Sequence, residues 1–240
     1  MNQAQPGGGK ILGVLGGMGP LASAHFMLRL TLLTPAELDQ DHIPAILWSD
    51  PRVPARVAGQ RGTGPDPLPW LIHGLHGLER AGCGAVVMPC NLAHVWIDGM
   101  RAATSLPILH IVDAAIDELR RLAVPPGPVG VMGTAPTLEV RLYQDRLAAH
   151  GRASLIPTDD EMANYVTPAI AAVKANRVAD AYAPLAEIVV RLRDRGAQTV
   201  ILGCTEIPLG LAAGPSDTLG IPIIDTIDAL ALAAIAWARG

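Results

Sequence analysis

Lysine is almost missing from this 240-residue chain, occurring only at Lys10 and Lys174. Aromatic residues are nearly as sparse: four Trp, three Tyr and one Phe. With a net charge of -4 and no basic run, the chain has neither a phosphate-binding field nor a row of stacking platforms, which excludes nucleic acid as a partner. Cysteine is scarce too. Three cysteines at wide spacing make no disulfide framework, and no Cys-x-x-Cys or paired Cys/His spacing suggests structural zinc. Reduced thiols in the cytoplasm, and no metal, are the expectation.

An unbroken hydrophobic span is also lacking. Ile11 to Leu33 is apolar, but Gly13, Gly16, Gly17, Gly19 and Pro20 break it and His25 and Arg29 interrupt the rest, so it reads as strand, turn and helix, with no membrane partner. Met1 to Lys10 is polar and Gly-rich, without the charged-then-apolar order of a signal peptide, and reads as a frayed tail.

What is present is a full core, since half the residues are apolar. Ile11-Leu15, Ala45-Ser49, Ala85-Met88, Ile108-Ile111, Val129-Met132, Val200-Leu202 and Ile221-Ile224 are short apolar runs bounded by Gly or Pro, the pattern of buried strands. Between them, Leu21 to Leu33, Leu68 to Ala81, Leu138 to Ala149, Ala183 to Arg195 and Ile227 to Ala238 carry helical period. Alternation of this kind predicts a doubly wound α/β fold with a mainly parallel sheet covered on both faces.

The chain also repeats itself. Gly13-Val14-Leu15-Gly16 recurs as Gly130-Val131-Met132-Gly133, followed by Pro20 or Pro136. Gly82 and Gly196 each lie eight residues before a cysteine, Cys90 or Cys204, and Val86-Val87-Met88-Pro89-Cys90-Asn91 answers Val200-Ile201-Leu202-Gly203-Cys204-Thr205. Pro107 with Asp113 matches Pro222 with Asp228 at the same separation. Two similar α/β units related by a pseudo-twofold are predicted. Ligands of parallel α/β sheets bind beyond the carboxyl ends of the strands, so the two cysteines would meet one ligand from opposite sides in the cleft between the units. The competing reading is two buried structural thiols, since free Cys is among the most buried residue types.

A strand-end thiol with a helix starting behind it sits where backbone amides and the helix dipole favour the thiolate. Two opposed thiols supply what inversion at a carbon needs: one group removes the proton, the other returns one to the opposite face. Cys83 precedes its strand, has Ala197 as its counterpart, and is assigned to packing.

These motifs resemble the aspartate/glutamate racemase superfamily, and its aspartate racemase branch in particular. The resemblance rests on Gly16-Gly17-Met18-Gly19-Pro20, Asp39-Gln40-Asp41-His42, Val53-Pro54-Ala55-Arg56, Met88-Pro89-Cys90-Asn91-Leu92-Ala93-His94, Lys174 and Gly203-Cys204-Thr205-Glu206-Ile207-Pro208-Leu209, and it spans nearly the whole chain. It implies racemisation of aspartate or a related acidic amino acid without cofactor or metal, in a homodimer. The first domain would comprise residues 1–112 with the C-terminal segment 226–240 and carry Cys90; the second, residues 113–225, would carry Cys204. It further implies that Cys90 and Cys204 are catalytic, that Met18, Asn91, Leu92 and Thr205 border the substrate, and that Arg56 and Lys174 clamp carboxylates. His94 and Glu206 are candidates to orient or polarise the thiols, although a histidine on an apolar strand-to-helix segment is more often a satisfied structural residue. Arg52 and Arg61 compete with Arg56 in the same loop, although a guanidinium there suits a carboxylate. One departure bears on specificity: Leu92 stands where the family usually has Thr.

Other readings compete. The glycines fall as Gly-x-x-Gly-Gly-x-Gly and not as the dinucleotide Gly-x-Gly-x-x-Gly, with Asp50 poorly placed for a ribose. Lys174 has no phosphate cup around it for pyridoxal phosphate. Related maleate isomerases, hydantoin racemases and malonate decarboxylases, and a non-catalytic amino-acid sensor, are the remaining alternatives.

Overall fold

The computed structural model describes residues 10–215 and 217–240. Of the stretch read as a frayed tail, only Lys10 falls among them, its ammonium donating to the Trp237 carbonyl at 3.0 Å.

Two four-stranded parallel sheets form the frame. The first contains β1 (Leu12–Gly16), β2 (Ala45–Ser49), β3 (Ala85–Val87) and β4 (Ile108–Leu109) in the order β2-β1-β3-β4. The second contains β5 (Val129–Gly133), β6 (Ser154–Leu155), β7 (Val200–Gly203) and β8 (Ile223–Asp225) in the equivalent order β6-β5-β7-β8. The interior strands β1 and β5 are buried at every residue, which is why they read as continuous apolar runs.

Among the described residues twelve α-helices cover the sheets: α1 (Pro20–Leu33), α2 (Arg56–Gln60), α3 (Leu68–Arg80), α4 (Ile97–Ala102), α5 (Ile111–Arg121), α6 (Ala135–Glu139), α7 (Gln144–Ala149), α8 (Asp159–Glu161), α9 (Thr167–Lys174), α10 (Tyr182–Asp194), α11 (Ile207–Leu211) and α12 (Thr226–Arg239). None is long and apolar enough to cross a membrane among the described residues.

Two sequence expectations need correction. The helix expected over Leu138 to Ala149 is broken, because Arg141 adopts φ 56 and separates α6 from α7; a left-handed residue cannot continue an α-helix. The short edge strand β6 was not foreseen, since two half-buried residues give no periodic signal.

The repeat is carried into the tertiary structure by ion pairs. After β8 the chain crosses back, and α12 packs along both α1 and α5. Arg29 of α1 holds Asp228 of α12 in a two-pronged bond of 2.5 and 2.7 Å, and Arg146 of α7 holds Asp113 of α5 at 2.8 Å. Arg29 and Arg146 each lie sixteen residues beyond Gly13 and Gly130. In both cases the arginine of one repeat grips the helix that closes the other sheet.

The glycine turn after β1 is dictated by space. Gly17 has φ +89, and a Cβ on it would lie 2.3 Å from the Asp50 carbonyl oxygen. Its amide donates to the Ser23 hydroxyl at 2.9 Å, fixing the lip that carries Met18.

Candidate active site

Cys90 follows β3 and Cys204 follows β7, the equivalent strands of the two sheets. Both line one cavity of about 100 Å³, which Met18, Arg56, Asn91, Leu92, Lys174, Thr205 and Glu206 also border. Every candidate residue from the sequence is therefore at this cavity except His94. The two thiols are almost wholly covered, 7% and 5% exposed.

Of the three arginines in the loop after β2, the structure separates one. Arg52 is 81% exposed and paired with Asp50 at 2.9 Å, which holds the Asp50 carboxylate down at about 2. Arg61 pairs with Glu139 at 2.7 Å. Arg56 alone reaches the cavity, anchored by Nη1 donating to the carbonyls of Val53 (3.1 Å) and Pro54 (3.0 Å). Lys174, at the end of α9, pairs with no carboxylate among the described residues.

Asn91 is held from the other repeat. The Tyr143 hydroxyl donates to its Oδ1, and its Nδ2 donates to the Thr226 hydroxyl at 3.3 Å, which itself donates to the Leu202 carbonyl at 2.8 Å. Tyr143 is completely buried, and burial pushes its phenol up, keeping it a neutral donor. Glu206 accepts from the Cys204 thiol at 3.1 Å and, more loosely, from the Thr205 hydroxyl at 3.4 Å. The Thr205 hydroxyl is thus turned toward Glu206.

The expectation that helix starts favour thiolates does not hold in this cleft. Burial pushes the Cys90 thiol up, although Arg56, the Ala93 amide and Lys174 draw it back. Cys204 is raised well beyond an ordinary thiol, by burial first and then by the charge of Glu206. Behind Cys90 the 3-10 stretch Leu92–Trp96 runs on into α4, and behind Cys204 stands the five-residue α11; desolvation outweighs the dipole at both thiols.

His94 lies beneath the cavity. Its Nδ1 donates to the Cys90 carbonyl at 2.9 Å, and its Nε2 accepts from the Ile111 amide at 3.3 Å. Both ring nitrogens are spent on backbone. Burial lowers its titration to about 4, so it is a neutral strut between the Cys90 segment and α5. Cys83 is buried in the first sheet's core, with its sulfur 3.2 Å from where a Cβ on Gly13 would stand.

Sequence reasoning missed Ala55, Val57, Thr134, Thr137 and Gly203, all on the cavity wall, and the buried pair Tyr143 and Thr226. Thr134 was findable: it follows Gly133 as Gly17 follows Gly16, so the repeat itself placed it at the mirror lip. There it caps α6, and its hydroxyl lies 2.8 Å from that of Thr137.

Three comparisons place the molecule among known proteins. The family model for Asp/Glu/Hydantoin racemase matches residues 15–234. The chain is 29% identical over 226 residues to the broad specificity amino-acid racemase RacX of Bacillus subtilis, covering 92% of this chain and 95% of that protein. Its structure is similar to Picrophilus torridus aspartate racemase, with a TM-score of 0.84 and 31% identity over 96% of this chain and 95% of the other. Glutamate racemase RacE1 of Bacillus anthracis shares the fold, at a TM-score of 0.69 and 20% identity over 97% of this chain and 83% of the other.

Proposed function

This chain belongs to the Asp/Glu/Hydantoin racemase family, a family of amino-acid racemases, and from that premise we propose that it inverts an amino acid with Cys90 and Cys204 as opposed base and acid. The observation that carries the reading is that both thiols, at the ends of equivalent strands in two repeats, face a single cavity of about 100 Å³.

In one direction the Cys90 thiolate takes the α proton and becomes the thiol. The electron pair left on the α carbon delocalises into the substrate carboxylate, and the Cys204 thiol gives its proton to the opposite face, becoming the thiolate. Nothing else is consumed, and the opposite enantiomer uses the same steps with the roles exchanged. The surroundings favour this initial assignment. Glu206 keeps the Cys204 proton in a hydrogen bond, while Arg56 and Lys174 favour negative charge on Cys90.

Negative charge grows on the substrate carboxylate during the step, so donors aimed at it lower the barrier. Asn91, fixed by Tyr143 and Thr226, and the amides of Leu92 and Thr205 are the donors assigned here; Arg56 and Lys174 supply the cationic wall. Aspartate fits the small cavity and those cations, a choice supported by the likeness to the Picrophilus enzyme. We take residues 1–112 with 226–240 as one functional lobe and 113–225 as the other, working as a cytoplasmic homodimer. Three unpaired thiols suit a reducing compartment.

The test is proton NMR of the purified protein in deuterated buffer, without added cofactor, against L and D amino acids with chiral analysis. Loss of the α-proton signal with inversion on aspartate or glutamate is expected. Absence of exchange on every amino acid would overturn the reading and turn attention to maleate and substituted malonates.

A further inference from the structure

The catalytic cavity has a larger neighbour. A second chamber of about 250 Å³ adjoins it and shares three of its residues, Val57, Thr134 and Lys174. Beyond those three shared residues the surface is Ala135, Pro136, Ile170 and Ala171, with Thr167 and Arg61 at the margin. Arg61 is already neutralised by Glu139 at 2.7 Å. The inner cavity alone is smaller than the roughly 300 Å³ at which small-molecule sites begin, so a longer substrate needs space outside it.

The pseudo-twofold is broken at this place. On the first repeat's lip, Met18 is buried, and a Cβ on neighbouring Gly19 would already be 3.3 Å from Glu206, so that side is closed. On the second repeat the equivalent lip, Thr134 to Pro136, opens onto the chamber. A substrate held by its α carbon between the thiols therefore has one direction in which a long side chain can extend.

We propose that this outer chamber is a side-chain subsite for neutral, unbranched amino acids longer than aspartate, such as norleucine or methionine. The inference rests on the racemase reading and names a further substrate class for it. Apolar walls pay no desolvation penalty toward a methylene chain, whereas a carboxylate placed among them loses its water. An ammonium at the chain's end is disfavoured by Lys174, which lines both cavities. The butyl stem of Lys174 itself adds apolar surface there.

The test compares inversion of norleucine, methionine, lysine and aspartate by the native protein and by Ala171→Phe. Ala171 is exposed on α9 and borders the outer chamber but not the catalytic cavity, and aspartate turnover reports that the variant is folded. Norleucine and methionine should be inverted and lysine, of similar length, at least tenfold less well. Ala171→Phe should lower kcat/KM for norleucine by about tenfold or more, the scale of discrimination for a few methylenes, with aspartate within about twofold. Inversion of aspartate without norleucine, or an equal loss on both in the variant, overturns the subsite and leaves the racemase reading standing. No exchange on any amino acid overturns both.

Discussion

Acid should loosen the segment that carries Cys90, and His94 sets how much. The ring is buried, with both nitrogens on backbone partners, and faces His110 at a centroid distance of 4.5 Å. Burial moves its titration from 6.5 down to about 4, with Arg146 and Arg101 pushing the same way. The folded state therefore holds neutral His94 more tightly than the unfolded chain does. Its contribution is complete above pH 6.5, declines as the unfolded chain gains a proton below that, and is exhausted near pH 4. The full displacement corresponds to about 3 kcal/mol, of which about 2 kcal/mol falls between pH 7 and pH 5. Urea unfolding at those two pH values, in the native protein and in His94→Gln, separates the effect from the titrations common to both; the neighbouring His110 also feels the charge of His94, but burial is the larger cause of its lowered titration and keeps it neutral in both proteins. The native protein should lose about 2 kcal/mol more than the variant over the interval. Equal losses would refute the argument that His94 is kept neutral by the fold.

Cys90→Ser and Cys204→Ser should each abolish inversion while leaving circular dichroism and the thermal midpoint unchanged; inversion retained in either would refute the two-thiol scheme. Because burial raises both thiols and the base must be a thiolate, kcat/KM should climb with pH through and beyond the ordinary thiol value of about 8.5. Glu206→Gln removes a negative charge from beside Cys204 and should shift alkylation of Cys204 by iodoacetamide toward lower pH, with a shift the other way counting against the assignment. Tyr143→Phe leaves the buried Asn91 oxygen without its donor and should cost about 1–3 kcal/mol in urea unfolding along with a fall in kcat; native values for both would show that the bond holds nothing in place. Gly17→Ala forces a Cβ onto the Asp50 backbone at a positive φ and should cost at least about 2 kcal/mol or yield insoluble protein, which expression and unfolding curves will decide.

The architecture was largely written in short-range patterns. Parallel strands buried on both faces declare themselves as apolar runs ended by glycine, and the repeat of Gly13 to Gly16 at Gly130 to Gly133 led directly to two matched sheets and to Cys90 and Cys204 facing one cavity. Less legible were the features made by distant parts of the chain. Tyr143 and Thr226 meet Asn91 across sequence separations of 52 and 135 residues, and neither has a local pattern that marks it. The protonation of the thiols was misread for the same reason: a helix start is visible in sequence, but the desolvation that outweighs it is set by everything packed around it. His94 looked like a candidate for chemistry by its spacing to Cys90, and only the fold reveals that backbone groups use both of its nitrogens.

The return of α12 across the molecule imposes an order of events on synthesis. Its first residue, Thr226, underlies Asn91, and its length packs against α1, which leaves the ribosome some two hundred residues earlier. A domain that ordinarily folds as it emerges here keeps one face of α1 uncovered, and Asn91 without its Thr226 partner, until α12 is made. Stalled or shortened chains ending before residue 226 would thus carry both cysteines yet no competent cleft. Such chains should fail to invert an amino acid and should leave uncovered the faces of α1 and α5 that α12 packs against.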